Sequence, residues 1–314
     1  MSVAFTFPGQ GSQTVGMGKA LADAFPVARA VFDEIDAALG QKLTSVIWEG
    51  PEADLTLTQN AQPALMAVSL AAFRVLQDEG GLDLKRHASF VAGHSLGEYS
   101  ALAASGALTI ADTARLLRIR GRAMQDATPV GTGAMAALLG LDFEQAAAVA
   151  AEAAQGDICQ AANDNAPGQV VVSGSKAAIE RALEIAKTKG AKRAILLPVS
   201  APFHCALMQP AADAMAEALA KVAIAAPAVP LVANVLARPI SDPAEIRRRL
   251  VEQVTGTVRW RESVEFLAGA GVTKLVEVGA GKVLSGLVKR IATGIEAVCV
   301  GTPDDVAAFA PTLA

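Results

Sequence analysis

Residues 88–102 read Ala-Ser-Phe-Val-Ala-Gly-His-Ser-Leu-Gly-Glu-Tyr-Ser-Ala-Leu, an apolar run that feeds a G-x-S-x-G pentapeptide and then a helix-compatible stretch. No other segment narrows the fold as far. A serine between two glycines, with a strand before it and a helix after it, predicts a sharp turn. Gly93 and Gly97 allow neighbouring backbone to approach closely, and the turn strains the serine between them. Such a turn lifts the Ser95 hydroxyl above a sheet and sets it at a helix N-terminus, where backbone N–H groups can stabilise an oxyanion. The pentapeptide alone is weak in a chain with 27 glycines. Its context makes Ser95 the candidate nucleophile, against the reading of an ordinary strand-to-helix turn.

The rest of the chain agrees with an α/β protein. Its 314 residues suffice for one large domain or two modest ones. Apolar residues make up 52%, much of that alanine, while aromatics make up only 4%, which favours helix-rich packing over an all-β sandwich. A net charge of −4 speaks against a nucleic-acid binder. Basic clusters at Arg247-Arg248-Arg249 and Lys289-Arg290 read singly as solvated helix faces. Cys159, Cys205 and Cys299 show neither disulfide nor zinc-ligand spacing, so no metal is expected, and reduced thiols fit a cytoplasmic protein. No apolar stretch has the length of a membrane span, and no membrane partner is expected.

Periodicity gives the organisation. Residues 3–7 read as a buried strand, with helices over 16–38, 62–77 and 111–125. Residues 128–133, Thr-Pro-Val-Gly-Thr-Gly, have linker composition. Beyond them lie a strand (134–141), a helix (142–154, with Asp142 as its cap), strands (158–162 and 169–173), a helix (176–189) and a strand (193–199). That βαββαβ order predicts a ferredoxin-like small domain over 128–199, inserted into a larger domain formed by 1–127 and 200–314. The larger part resumes with a helix over 206–222, a strand over 229–234, helices over 243–253 and 260–270, and a strand over 274–278. It closes with the turn Gly279-Ala280-Gly281-Lys282 and a further helix.

A seryl nucleophile needs a base, and histidine is the usual one. His94 adjoins Ser95, so its side chain should point away from the hydroxyl; His87 sits in a charged loop. His204, in Pro202-Phe203-His204 where the chain leaves the small domain, is the base by elimination, the alternative being a satisfied core histidine. No acid stands out as a third member: Asp157 reads as a loop residue, and Asp164 lies in an Asn163-Asp164-Asn165 loop of the small domain. A backbone carbonyl can orient the imidazole instead, giving a Ser–His dyad. The turn Pro8-Gly9-Gln10-Gly11-Ser12-Gln13 fails as a nucleotide loop, because Thr14 stands at the third glycine and no G-K-[ST] follows. It can supply a second oxyanion donor beside the N–H of Leu96.

These segments, together with Arg118-Ile119-Arg120-Gly121-Arg122 and Glu277-Val278-Gly279-Ala280-Gly281-Lys282-Val283-Leu284, occur in an order and at distances that resemble the malonyl-CoA:acyl carrier protein transacylases of fatty acid synthesis. The resemblance covers essentially the whole chain. It implies a large α/β-hydrolase-like domain with a ferredoxin-like insertion. Ser95 would carry the malonyl ester, His204 would be the base, and the N–H groups of Gln10 and Leu96 would form the oxyanion hole. Gln253 would orient the histidine through its backbone carbonyl; Asn234 and Gln62 match polar residues near the family's site. Arg120, read alone, is a charge on a mixed helix face. The resemblance makes it the anchor for the malonyl carboxylate, which a guanidinium matches with two parallel hydrogen bonds. Phe203 reads either as a filler against branched acyl groups or as plain core. Ala280 departs from a proline frequent in the family.

The expected activity is ping-pong transfer of malonyl from malonyl-CoA to the phosphopantetheine thiol of acyl carrier protein, by a monomer with no cofactor of its own. Three rivals remain: a trans-acting acyltransferase of a polyketide pathway, a serine thioesterase or other hydrolase, and a silent scaffold for the carrier protein. An acid after the nucleophile and a purely apolar pocket would mark the hydrolase. Arg247, Arg248, Arg249, Lys289 and Arg290 are the candidate docking charges for an acidic carrier.

Overall fold

A computed structural model describes residues 2–129 and 131–313; Met1, Ala314 and Val130 of the expected linker lie outside the described residues. The chain is mixed α/β, with ten strands in two sheets among the described residues: β1 (Ser2–Phe7), β2 (Phe90–Gly93), β3 (Gly133–Leu139), β4 (Cys159–Ala166), β5 (Gln169–Ser175), β6 (Arg193–Leu196), β7 (Leu231–Ala233), β8 (Arg238–Ile240), β9 (Val272–Val278) and β10 (Glu296–Val300). The larger sheet runs β10-β9-β1-β2-β7-β8, parallel except for β8. β1 sits in its middle with Phe5 and Phe7 on one face and Ala4 on the other, each fully buried. The phenylalanine face packs on the long helix Thr58–Gly80 through Phe73, while the Ala4 face packs with Ala92, Trp260 and Leu275. A parallel sheet covered on both faces leaves the carboxyl ends of its strands as the natural binding edge.

The smaller sheet is antiparallel, in the order β4-β5-β3-β6, and shares a core of its own with helices Phe143–Ala154 and Lys176–Thr188. Asp142 closes a capping box with Gln145 at the start of the first of these helices, as its sequence position suggested.

Several boundaries move. The helix expected over 16–38 is two, Lys19–Ala24 and Pro26–Leu39, because the residue before a proline is driven out of the helical region; Phe25 is extended at φ −128°. The stretch 206–222 opens as a 3₁₀ turn, Ala206–Met208, before the helix Gln209–Ala220. β4 runs on through Asn163-Asp164-Asn165, which the sequence suggested as a loop; two register shifts against β5 let the strand keep those polar residues. β10 went unanticipated, since five residues on a sheet edge carry little pattern.

Candidate active site

The elbow forms because two glycines permit a three-way backbone contact. A Cβ on Gly93 would lie 1.9 Å from the Gly97 carbonyl carbon, and one on Gly97 would lie 2.2 Å from Phe7 O. Any side chain at either position would drive β1, β2 and the helix Gly97–Ala104 apart. Ser95 takes the strained conformation this demands, with φ 51°. Its N–H donates to Asn234 Oδ1 at 2.8 Å, which pins the strained residue from the end of β7.

His204 reaches the same point from the other side of the chain. Its Nε2 lies 2.8 Å from Ser95 Oγ, and its Nδ1 lies 2.9 Å from the backbone oxygen of Gln253. A carbonyl only accepts, so Nδ1 carries the proton and Nε2 presents a lone pair to the hydroxyl. Burial, helped by the Arg120 charge, pushes the imidazole down to about 3, so it stands neutral as a proton acceptor. Like Ser95, His204 is strained, at φ 59°. The backbone N–H groups of Gln10 and Leu96 donate to no acceptor among the described residues.

Arg120, on the helix Ile110–Asp126, is 1% exposed. Read alone, the sequence put it on a charged helix face; in the fold Arg115 and Arg122 stay exposed while Arg120 falls on the buried side with Leu116, Leu117 and Met124. Its guanidinium donates to Gln62 Oε1 at 2.7 Å, to Gln253 Oε1 at 2.8 Å and to Ser95 Oγ at 3.1 Å. All three acceptors are neutral, and the buried Nε–H finds no acceptor. The Tyr99 ring lies beneath it, 5.7 Å from centroid to guanidinium carbon.

One residue of this network was missed by sequence reasoning. Glu98, 1% exposed, accepts from the Asn234 backbone N–H at 3.2 Å and from Gln253 Nε2. The signal was its place three residues after Ser95, in the first helical turn of a segment otherwise apolar or small. Gln253 Nε2 also donates to Ser95 O at 2.9 Å, and Asn234 Nδ2 to Gly93 O at 2.7 Å.

Of the residues singled out in the sequence, Gln10, Gln62, Ser95, Leu96, Arg120, Phe203 and His204 line one cleft of about 570 Å³; Gln253 and Asn234 join it through the hydrogen bonds above. Asn163 and Asn165 of β4 also line it. Phe203 lines the cleft and is also packed in the main core. His94 turns from the hydroxyl, as expected: its Nε2 meets Asn165 Oδ1 at 2.9 Å and its ring packs on Trp260. His87 Nδ1 accepts from the Asp83 N–H. Asp164 is held by Arg261 and Asp157 by Arg181. Among the described residues no cluster of three or more His, Cys, Asp or Glu could hold a metal ion, and no helix is long and apolar enough to cross a membrane. The three cysteines are unpaired.

A hydroxyl with a neutral base on it, beside two unused N–H donors, suits acyl groups passed through a serine ester. The comparisons name that class. The chain belongs to the acyl transferase domain family, whose profile matches residues 4–302. It is 48% identical over 305 residues to the malonyl CoA-acyl carrier protein transacylase of Escherichia coli strain K12, across 97% of each chain. The acyl-carrier-protein-S-malonyltransferase of Bartonella henselae superposes with a TM-score of 0.97 at 57% identity, across 100% of this chain and 99% of that one. A malonyl-transacylase solved in complex with its type II PKS acyl-carrier protein is 44% identical, with a TM-score of 0.95, across 99% of this chain and 100% of the other.

Proposed function

We propose that the protein transfers malonyl from malonyl-CoA to the phosphopantetheine thiol of acyl carrier protein, through a malonyl ester on Ser95. The observation that carries this reading is Arg120: a buried guanidinium 3.1 Å from Ser95 Oγ whose direct partners are all neutral. Such a group invites an anion at the distance where an acyl chain on Ser95 would end. An acetyl group would leave it unanswered.

Ser95 Oγ attacks the thioester carbon while its proton passes to His204 Nε2. The C=O pair moves to oxygen, and the N–H groups of Gln10 and Leu96 receive the oxyanion. Collapse breaks the C–S bond, and the imidazolium, steadied by the Gln253 carbonyl, returns the proton to the CoA sulfur. The carrier's thiol reverses these steps. One thioester is exchanged for another, so the reaction balances without nucleotide, metal or redox cofactor. The cleft under the smaller sheet shields the ester from water.

We read the fold as an α/β-hydrolase-like domain, residues 1–127 and 200–314, carrying a ferredoxin-like insertion over 128–199. The β4-β5-β3-β6 order and the separate core of that segment support the reading. Nucleophile, base and guanidinium meet within a single chain, so a monomer suffices for the site. Unpaired cysteines suit the reducing cytoplasm.

A hydrolase is disfavoured by Arg120 and by a backbone carbonyl in the place of the triad acid. We read the role as supply of extender units to fatty acid synthesis; the similar transacylase bound to a type II PKS carrier keeps a polyketide role as the second reading. Incubation with malonyl-CoA, and separately with acetyl-CoA, tests the activity by intact-protein mass spectrometry, followed by discharge to each carrier protein. A malonyl adduct that discharges to the carrier is expected; an adduct lost only to water would make the protein a hydrolase.

A further inference from the structure

Arg120 has no carboxylate in direct contact, yet a carboxylate lies one carboxamide away. Gln253 joins the two: its Oε1 accepts from Arg120 and its Nε2 donates to Glu98. The other buried carboxylates have structural partners. Asp36 accepts from Thr44, Asp164 pairs with Arg261, and Glu277 accepts from the N–H groups of Leu284 and Ser285. Glu98 is the only buried acid of the site among the described residues.

The groups that could share its charge are few. From the helix Ile110–Asp126 comes Arg120; the next residue on its own helix is Tyr99, whose phenol burial holds neutral. Across the cleft stands His204, also held neutral, and at the end of β2 His94, lowered by burial. Asn234 and Gln253 themselves offer only amide donors, and on the Gln253 helix Arg249 pairs with Glu252 while Arg247 donates to backbone carbonyls. With both histidines and the phenol uncharged, the unloaded site holds one cation, Arg120, and Glu98 is its one group able to become an anion.

We propose that Glu98, wherever it is ionised in the empty site, is the counter-charge of Arg120 through Gln253, and that it takes up a proton from solvent when a substrate carboxylate docks on the guanidinium. This rests on the reading that a malonyl carboxylate meets Arg120. Two carboxylates around one buried guanidinium cannot both stay ionised cheaply, and the one without direct contact to the cation yields. Gln253 Nε2 is not stranded by that change, since Ser95 O and Asn234 Oδ1 lie within its reach at 2.9 and 3.4 Å. Burial already pushes the Glu98 carboxyl up to about 8, despite its donors and the Arg120 charge, so the group is poised to respond.

The linkage sign follows. Binding that consumes a proton weakens as pH rises, here above about 8 where the free enzyme's Glu98 ionises, by at most about tenfold per pH unit for one proton. An uncharged acyl group leaves Glu98 as it was and shows no such slope.

The test is isothermal titration of the Ser95→Ala protein with malonyl-CoA and acetyl-CoA between pH 7 and 9.5, in buffers of different ionisation enthalpy. Expected is an excess proton uptake with malonyl-CoA that grows above pH 8, with the acetyl-CoA arm cancelling protons of the CoA phosphates. Glu98→Gln in the same background should abolish the excess and flatten the pH slope. The two-ligand comparison needs no change at Glu98, so it decides even if that variant fails to fold. Equal uptake for both ligands, or an excess unchanged by Glu98→Gln, overturns the proposal while leaving malonyl binding intact. Failure of malonyl-CoA to bind more tightly than acetyl-CoA at pH 7 would overturn the malonyl reading itself, and this proposal with it.

Discussion

Arg120→Ala should change which acyl group the enzyme accepts. The guanidinium is buried at 1% exposure and held by Gln62 and Gln253 at 2.7 and 2.8 Å, so it is oriented before substrate arrives. A charge-assisted contact to a malonyl carboxylate in such a site is worth about 2–4 kcal/mol. At about 1.4 kcal/mol per factor of ten, its loss lowers kcat/KM for malonyl-CoA by roughly 30- to 1,000-fold. For acetyl-CoA the balance runs the other way. The wild-type protein must bury a cation against a methyl group, and the variant removes that penalty. Two carboxamide oxygens, Gln62 Oε1 and Gln253 Oε1, lose a donor and cost stability, but that cost falls on both substrates alike. Lysine at this position should rescue malonyl transfer only in part, because it keeps the charge without the fork. The assay is kcat/KM for both acyl-CoAs with one carrier protein, for the wild type, Arg120→Ala and Arg120→Lys. A fall by the same factor for malonyl and acetyl would make Arg120 a structural brace and remove the physical basis for malonyl selectivity.

Ser95→Ala should abolish the malonyl adduct by mass spectrometry with the fold intact; an adduct that persists removes Ser95 from the mechanism. His204→Ala should slow both half-reactions by about two to four orders of magnitude. Because the imidazole is held down to about 3, the wild-type base stays unprotonated from neutral pH down to about 4. Acylation losing activity with an apparent pKa of 6 to 7 would contradict that placement. Lys289 is exposed, whereas Arg247 donates to the carbonyls of Leu219 and Val222 at the end of a helix. Lys289→Glu should therefore slow transfer to an acidic carrier without altering acylation by malonyl-CoA, most clearly at low salt, while Arg247→Glu should lower the melting temperature. If Arg247→Glu selectively impaired the carrier step at unchanged stability, the docking surface would include it.

The elbow was legible in the sequence because its requirements are local. Strand, glycine, serine, glycine and helix follow one another, and each residue type is dictated by contacts within a few positions. The alternating order of strands and helices after residue 133 was legible for the same reason. Legibility failed where partners come from far along the chain. Gln253 lies 49 residues from His204 and 133 from Arg120 in sequence, and no periodicity links them; only the resemblance pointed to it. Glu98 sits three residues from Ser95, yet its meaning depends on Asn234 and Gln253, 136 and 155 residues away.

What the sequence determined by itself is therefore the serine of the elbow, its turn and the α/β order, all set by short-range sterics and hydrogen bonding. The tertiary structure decided the charges. Whether an arginine on a mixed helix face is solvated or buried, whether a histidine is charged, and whether a glutamate has a counter-ion depend on which distant segments exclude water from it. That exclusion is a property of the packed chain.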